Sequence, residues 1–147
     1  MEFILQLPPP PTHQAALRIL KTRDGRQFIG KMASSKAAKW GKAATLLLKA
    51  QAAKQGHKTI EGVCYVRVNF YYSHTKESQR VSKRDKLQFV EKATRPDLDN
   101  LAKGLLDSLV DSGVLKDDGQ ITRLTLSKYY SDTEMVTIDI THGGWDT

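Results

Sequence analysis

The chain has 147 residues, 39% hydrophobic and 27% charged, with 23 Lys and Arg against 16 Asp and Glu for a net charge of +7. That length suits a single domain, residues 1–147, with its own core. The basic excess favours a polyanionic partner, nucleic acid above all. No apolar run is long enough to cross a membrane and no basic region precedes an apolar signal core, so the expectation is a cytoplasmic protein with no membrane segment. Cys64 is the only cysteine and reads as a small buried hydrophobe in a reducing compartment.

Phe3, Leu5 and Leu7 share one face of a short strand that runs into Pro8-Pro9-Pro10-Pro11, a stiff exit that cannot donate ladder hydrogen bonds. Asp24-Gly25 is a turn signal between Leu17–Leu20 and Gln27–Ile29, which predicts a hairpin over residues 18–29. Ser34 and Ser35 offer N-caps for a long helix from Lys36 to Gln55 that stops at Gly56. Its apolar stripe is Ala37, Trp40, Ala44, Leu47, Leu48 and Ala52, and Lys36, Lys39, Lys42, Lys49 and Lys54 form a solvated basic face.

Val63 to Tyr72 alternates cleanly and is the clearest strand. Residues 73–92 turn polar and basic with few apolar anchors, and read as a mobile loop or an extended hairpin. His74 has no ligand-like spacing to another His or Cys and reads as a surface residue. Beyond residue 121, alternation over Thr122–Tyr129 and again over Met135–Ile140 predicts two adjacent strands joined as a hairpin at Ser131-Asp132-Thr133, with a frayed tail over His142–Thr147. The order of elements fits an α+β domain, a mixed β-sheet with helices packed on one face.

The chemistry concentrates in Arg95–Ile121. Asp97 and Asp99 follow Pro96 at the mouth of a helix whose buried stripe is Leu98, Leu101, Ala102, Leu105 and Leu109. Lys103 lies one turn past Asp99, with Asp107 one turn further. The bland reading is acidic capping plus an exposed Asp–Lys–Asp ladder, each pair contributing about 0.3–0.5 kcal/mol. It explains Asp97 and Asp99 but not Asp117-Asp118, which lie past the Gly113 break. If the segment after the helix ran back along it, these carboxylates would share one pocket, and their repulsion would demand a cation. Oxygen ligands without His or Cys point to Mg²⁺ or Mn²⁺.

Pro96-Asp97-Leu98-Asp99-Asn100-Leu101, Lys103, Asp107, Leu109, Asp117-Asp118 and Gln120-Ile121 together resemble the signature of the RusA family of Holliday junction resolvases. Leu7-Pro8-Pro9-Pro10-Pro11 is similar to the family's proline-rich exit from its first strand, although Thr12-His13-Gln14 follows where an asparagine is usual. Residues 73–92 are longer than the family pattern suggests. The resemblance implies a Mg²⁺-dependent endonuclease that acts as a homodimer on four-way DNA junctions. Asp97, Asp99 and Asp118 would be its acidic catalytic and metal-binding residues, Lys103 its essential lysine, and Asp117 a supporting group behind them. Arg95, with Lys76, Arg80, Lys83, Arg84 and Lys86 from the basic segment, is a candidate DNA contact.

Two other classes compete. A non-catalytic nucleic-acid-binding module shares the charge but gives no reason to gather carboxylates where phosphate must approach. A metal-dependent sugar or phosphate transferase built on Asp97-x-Asp99 would want a glycine-rich nucleotide cradle, and the sequence has none.

Overall fold

The computed structural model describes residues 1–11, 16–32 and 35–143. In chain order the elements are β1 (Glu2–Leu5), β2 (Ala16–Lys21), β3 (Gln27–Met32), α1 (Ser35–Gln55), β4 (Cys64–Ser73), α2 (Lys76–Asp85), β5 (Val90–Glu91), α3 (Leu98–Asp111), a 3-10 turn (Asp118–Gln120), β6 (Ile121–Ser131) and β7 (Met135–His142). The main sheet has five strands in the order β1-β7-β4-β6-β5, and β2 and β3 form a separate two-stranded ribbon. This is the expected α+β domain with a mixed sheet: β4 runs parallel to β6 and antiparallel to β7.

The most apolar strand takes the centre. Cys64, Val66, Val68 and Phe70 of β4 are all buried on one face, where they meet Val136, Ile138 and Ile140 of β7 and Phe3 and Leu5 of β1. Trp40, Ala44 and Leu48 of α1 and Leu101, Leu105 and Leu109 of α3 close that face, so both helices lie on one side of the sheet. The opposite face carries Arg67, Asn69 and Asp139 and is open. Trp40 Nε1 donates to the Pro8 carbonyl at 2.7 Å, which ties the proline run to α1. Burial pushes the Cys64 thiol up, as suits a small core residue.

The ribbon turns at Gly25, whose φ of +86° only glycine adopts without strain. α1 starts and stops close to the predicted bounds, ending at Gly56 with φ +71°. The proposed cap at Ser34, residues 12–14 after the prolines, and the tail over 144–147 lie outside the described residues.

Three expectations are corrected. β6 and β7 are not a hairpin: β4 lies between them, and Asp132, Thr133 and Glu134 cross over its end. Strands lie about 4.8 Å apart, so three residues reach the next-but-one strand; the alternation of β6 and β7 was compatible with either arrangement. Residues 73–92 are neither loop nor hairpin but the end of β4, then α2, then β5. Thr75 and Ser78 form a capping box, and Lys86 ends the helix in the left-handed region at φ 53°. Only Val81 is apolar in α2, so no helical stripe announced it. His74 is not a surface residue: its side chain is 6% exposed, with Nδ1 2.9 Å from Ser78 Oγ and Nε2 3.6 Å from an Asp132 carboxylate oxygen.

Ser78 Oγ accepts from the Thr75 N–H and meets His74, so Ser78→Ala should remove about 1 kcal/mol of stability by uncapping α2. Thermal melts of the two proteins check this, and unchanged melting would mean that α2 is held by its packing alone.

Candidate active site

β6 organises the acidic residues. At its end, Lys128 Nζ donates to the Thr94 carbonyl and, at 2.8 Å, to the Pro96 carbonyl, so it grips the turn that delivers Asp97. Behind that turn, Lys92 Nζ lies over the rings of Tyr72 and Tyr130 and donates to Thr94 Oγ1 at 2.6 Å. The Tyr130 hydroxyl, 3.1 Å from Thr94 Oγ1, is held below its ordinary pKa by that hydrogen bond and by Lys92, against the opposing pull of burial. Tyr72, buried and with no hydrogen-bond partner on its hydroxyl, is pushed up to about 12 by desolvation and by Glu134. The platform under residues 92–97 is therefore aromatic and cationic.

At the start of β6, Gln120 does the equivalent work. Its Oε1 accepts from the N–H groups of Lys116 and Asp117, each at 2.8 Å, and its Nε2 donates to the carbonyls of Ile60 and Gly62, each at 2.9 Å. All the hydrogen-bonding capacity of one amide is spent on fixing the turn that carries Asp117 and Asp118 to the approach of β4.

Asp97 is the N-cap residue of α3, in extended conformation (φ −73°, ψ 145°), but its side chain makes no capping hydrogen bond. Asp99 and Lys103 are exposed on the next turns, and neither joins an ion pair among the described residues. The capping and ladder account of these groups therefore finds no support in the geometry. Asp117 and Asp118 are exposed as well.

The two acidic turns do not meet. The Leu115 N–H donates to the Leu109 carbonyl, which closes the end of α3, and Leu115 then bridges to Ile60, so the chain crosses to β4 and does not return along the helix. Asp97 and Asp99 stand at the start of α3 and Asp117 and Asp118 beyond its end, a separation of about 20 Å for a helix of this length. Among the described residues, no group of three or more acidic, His or Cys side chains is gathered closely enough to hold a metal ion.

Of the basic candidates, Arg95 is exposed beside Asp97, and Lys76, Arg80, Lys83 and Lys86 are exposed on or just after α2. Arg84 is also exposed but is engaged by Asp85 through contacts of 2.9 and 3.1 Å. α2 leads through β5 to residues 92–97, so this basic helix stands at the same end of the sheet as Asp97. Lys128 and Gln120 are the positioning residues that pattern reading missed. A lysine on the apolar face of a strand was the available signal for the first, and a lone glutamine gives none.

Residues 7–141 match the family model for endodeoxyribonuclease RusA. No curated protein matches the chain. With nearly its whole length covered, the chain belongs to the RusA family of endodeoxyribonucleases.

Gln120→Ala should leave the core intact yet free the Asp117–Asp118 turn, and lower DNA cleavage by about 10²-fold, the scale of a 1 Å misplacement at a reacting centre. Circular dichroism with a cleavage rate checks this; full activity would show that the turn holds itself.

Proposed function

We propose that this chain is a structure-selective endodeoxyribonuclease that cuts four-way DNA junctions by paired phosphodiester hydrolysis, as a homodimer and with Mg²⁺ or Mn²⁺. The observation that carries the reading is that Asp97, Asp99 and Lys103 are exposed side by side without capping bonds or ion pairs. Groups left unneutralised at helix-pair spacing are available to a cation and a phosphate.

The donor set fits a hard divalent ion. Asp97 and Asp99 from one subunit, with Asp118 from the other, would hold it through oxygen alone. Such an ion, when bound, neutralises phosphoryl oxygens and acidifies a water. A two-fold dimer supports this division of ligands, because it can lay the start of one α3 against the turn that follows the other. It also yields two equivalent sites, which suits a junction with two strands to cut.

The protein's own groups do the rest. Lys103 is one turn along α3 from Asp99, where its ammonium donates to a phosphoryl oxygen as charge develops there. Arg95, next to Asp97, holds the flanking phosphate. Lys76, Arg80, Lys83 and Lys86 extend the contact along the DNA backbone from α2, and Arg84 joins them once released from Asp85. These are backbone contacts, so selectivity comes from branch shape and site spacing more than from base sequence. Asp117 supports the turn beside Asp118.

Cleavage of a synthetic four-way junction and of its matched duplex, with Mg²⁺ and with EDTA, tests the proposal. Paired nicks confined to the junction, lost in EDTA and in Asp99→Asn with DNA binding kept or tightened, are expected. Binding without cleavage under every divalent ion would favour a non-catalytic module. Lys103→Ala should reduce the rate far more than the affinity, and equal activity would remove Lys103 from the reaction. Reversing Lys83, Arg84 and Lys86 together should weaken binding and flatten its dependence on salt; an unchanged slope would remove α2 from the DNA contact.

A further inference from the structure

β6 has one edge that is almost entirely free. Its other edge pairs with β4 along the strand, whereas β5 covers only Tyr129 and Tyr130, followed by one bond from the Lys92 N–H to the Lys128 carbonyl. Nothing among the described residues pairs with Ile121–Ser127 on that side. An open strand edge of this length is a template for another chain and is ordinarily blocked by charge, proline or a bulge. Here its middle holds Leu124, 39% exposed, one of the few large apolar side chains left in water.

The hydrogen bond at Lys128 fixes which residues face the edge. Successive residues of a strand point their N–H and C=O groups to opposite sides, so Leu126 and Leu124, in step with Lys128, present theirs outward.

We infer that the edge of β6 pairs antiparallel with the same edge of a second copy, about a two-fold axis at Leu124, and that this pairing completes the active site. The inference rests on the dimeric nuclease reading above. With the axis at Leu124, that residue opposes its own counterpart, Thr122 opposes Leu126, Arg123 opposes Thr125, and Ile121 opposes Ser127. The paired stretch fills the free interval and stops where β5 begins on each side. No like charges face one another, and the two copies of Leu124 leave water together.

The same register decides what happens at the ends. The chain enters β6 through Asp118–Gln120, and antiparallel pairing carries that turn to the far end of the partner's β6, where Lys128 grips residues 94–96. There the structure has a groove of about 330 Å³ lined by Lys92, Leu98, Leu126 and Lys128 among others, open on the edge just where β5 stops. Ile121, half-buried in one chain, would seat against Leu98 and Leu126 of the partner subunit. Asp118 would then stand beside Asp97 and Asp99 of the partner subunit. One edge contact therefore closes two metal-capable carboxylate groups that a single chain holds about 20 Å apart.

The register is tested with single cysteines in the full chain, where native Cys64 is buried. Leu124→Cys should cross-link to a covalent dimer with a short bis-maleimide, because directly opposed Cα atoms lie about 5.5 Å apart. Thr122→Cys should not, because its counterpart is four residues along the strand, roughly 14 Å away. Leu124→Lys places two like charges at the axis and should sediment as a monomer where the wild type is a dimer, with an unchanged circular dichroism spectrum. Its junction cleavage should fall by at least the ~10²-fold that misplacing a catalytic group costs. Cross-linking through Thr122→Cys but not Leu124→Cys, or a Leu124→Lys dimer with full activity, would overturn the interface while leaving the nuclease reading standing. A dimer cross-linked through Leu124→Cys that cleaves no DNA would uphold the interface and overturn the nuclease reading.

Discussion

The parallel pairing of β6 with β4 is the constraint on which the site depends. β4 is the most buried strand and fixes β6 along its length, so the two ends of β6 are rigid reference points a strand's length apart. Each end has one side chain that grips an acidic turn, Gln120 at the start and Lys128 at the end. Neither acidic turn is held mainly by its own helix. Catalytic groups on short turns need such support, because a loop alone does not hold a carboxylate within a fraction of an ångström.

The same strand explains why a single chain is incomplete. A sheet that fixes two acidic turns at opposite ends of one strand cannot bring them together by local motion, since that would tear β6 from β4. Carboxylates left this far apart repel one another little, which lets the monomer carry them exposed without a cation. Concentrating them is left to association, and the strand that separates the turns also offers the edge through which a second copy reverses their order. Around this centre the net charge is positive, with α2 adding Lys76, Arg80, Lys83 and Lys86 at the end of the sheet where Asp97 stands. The protein thus attracts DNA broadly and places negative charge only where an ion would sit.

Much of this was legible in the sequence, and the reasons for the rest are specific. The β4 alternation, the α3 stripe and the Asp24-Gly25 turn obey local periodicity and appear as expected. The family signature over residues 95–121 is dense because both acidic turns and the helix between them lie in one contiguous stretch. α2 was missed because a helix with one apolar residue has no period to detect; its evidence was the short polar pattern from Thr75 to Ser78. The position of β4 between β6 and β7 was missed because alternation reports a strand's faces and says nothing of its neighbours. His74 looked like a surface residue because its partners, Ser78 and Asp132, are brought to it by α2 and by the crossing after β6. The separation of the acidic turns was equally hidden, since it depends on Leu115 bridging to Ile60, a contact between distant parts of the chain.

The most direct test of a site shared between two chains is to mix Asp99→Asn with Asp118→Asn under conditions where subunits exchange, and to measure junction cleavage. Each variant alone should be inactive. In the mixed dimer one composite site has lost both groups and the other has kept both, so nicking should return to about a quarter of the wild-type number of sites on random exchange. A mixture as inactive as its components, with exchange demonstrated by tagged subunits, would contradict the account and place all three aspartates in one chain's site.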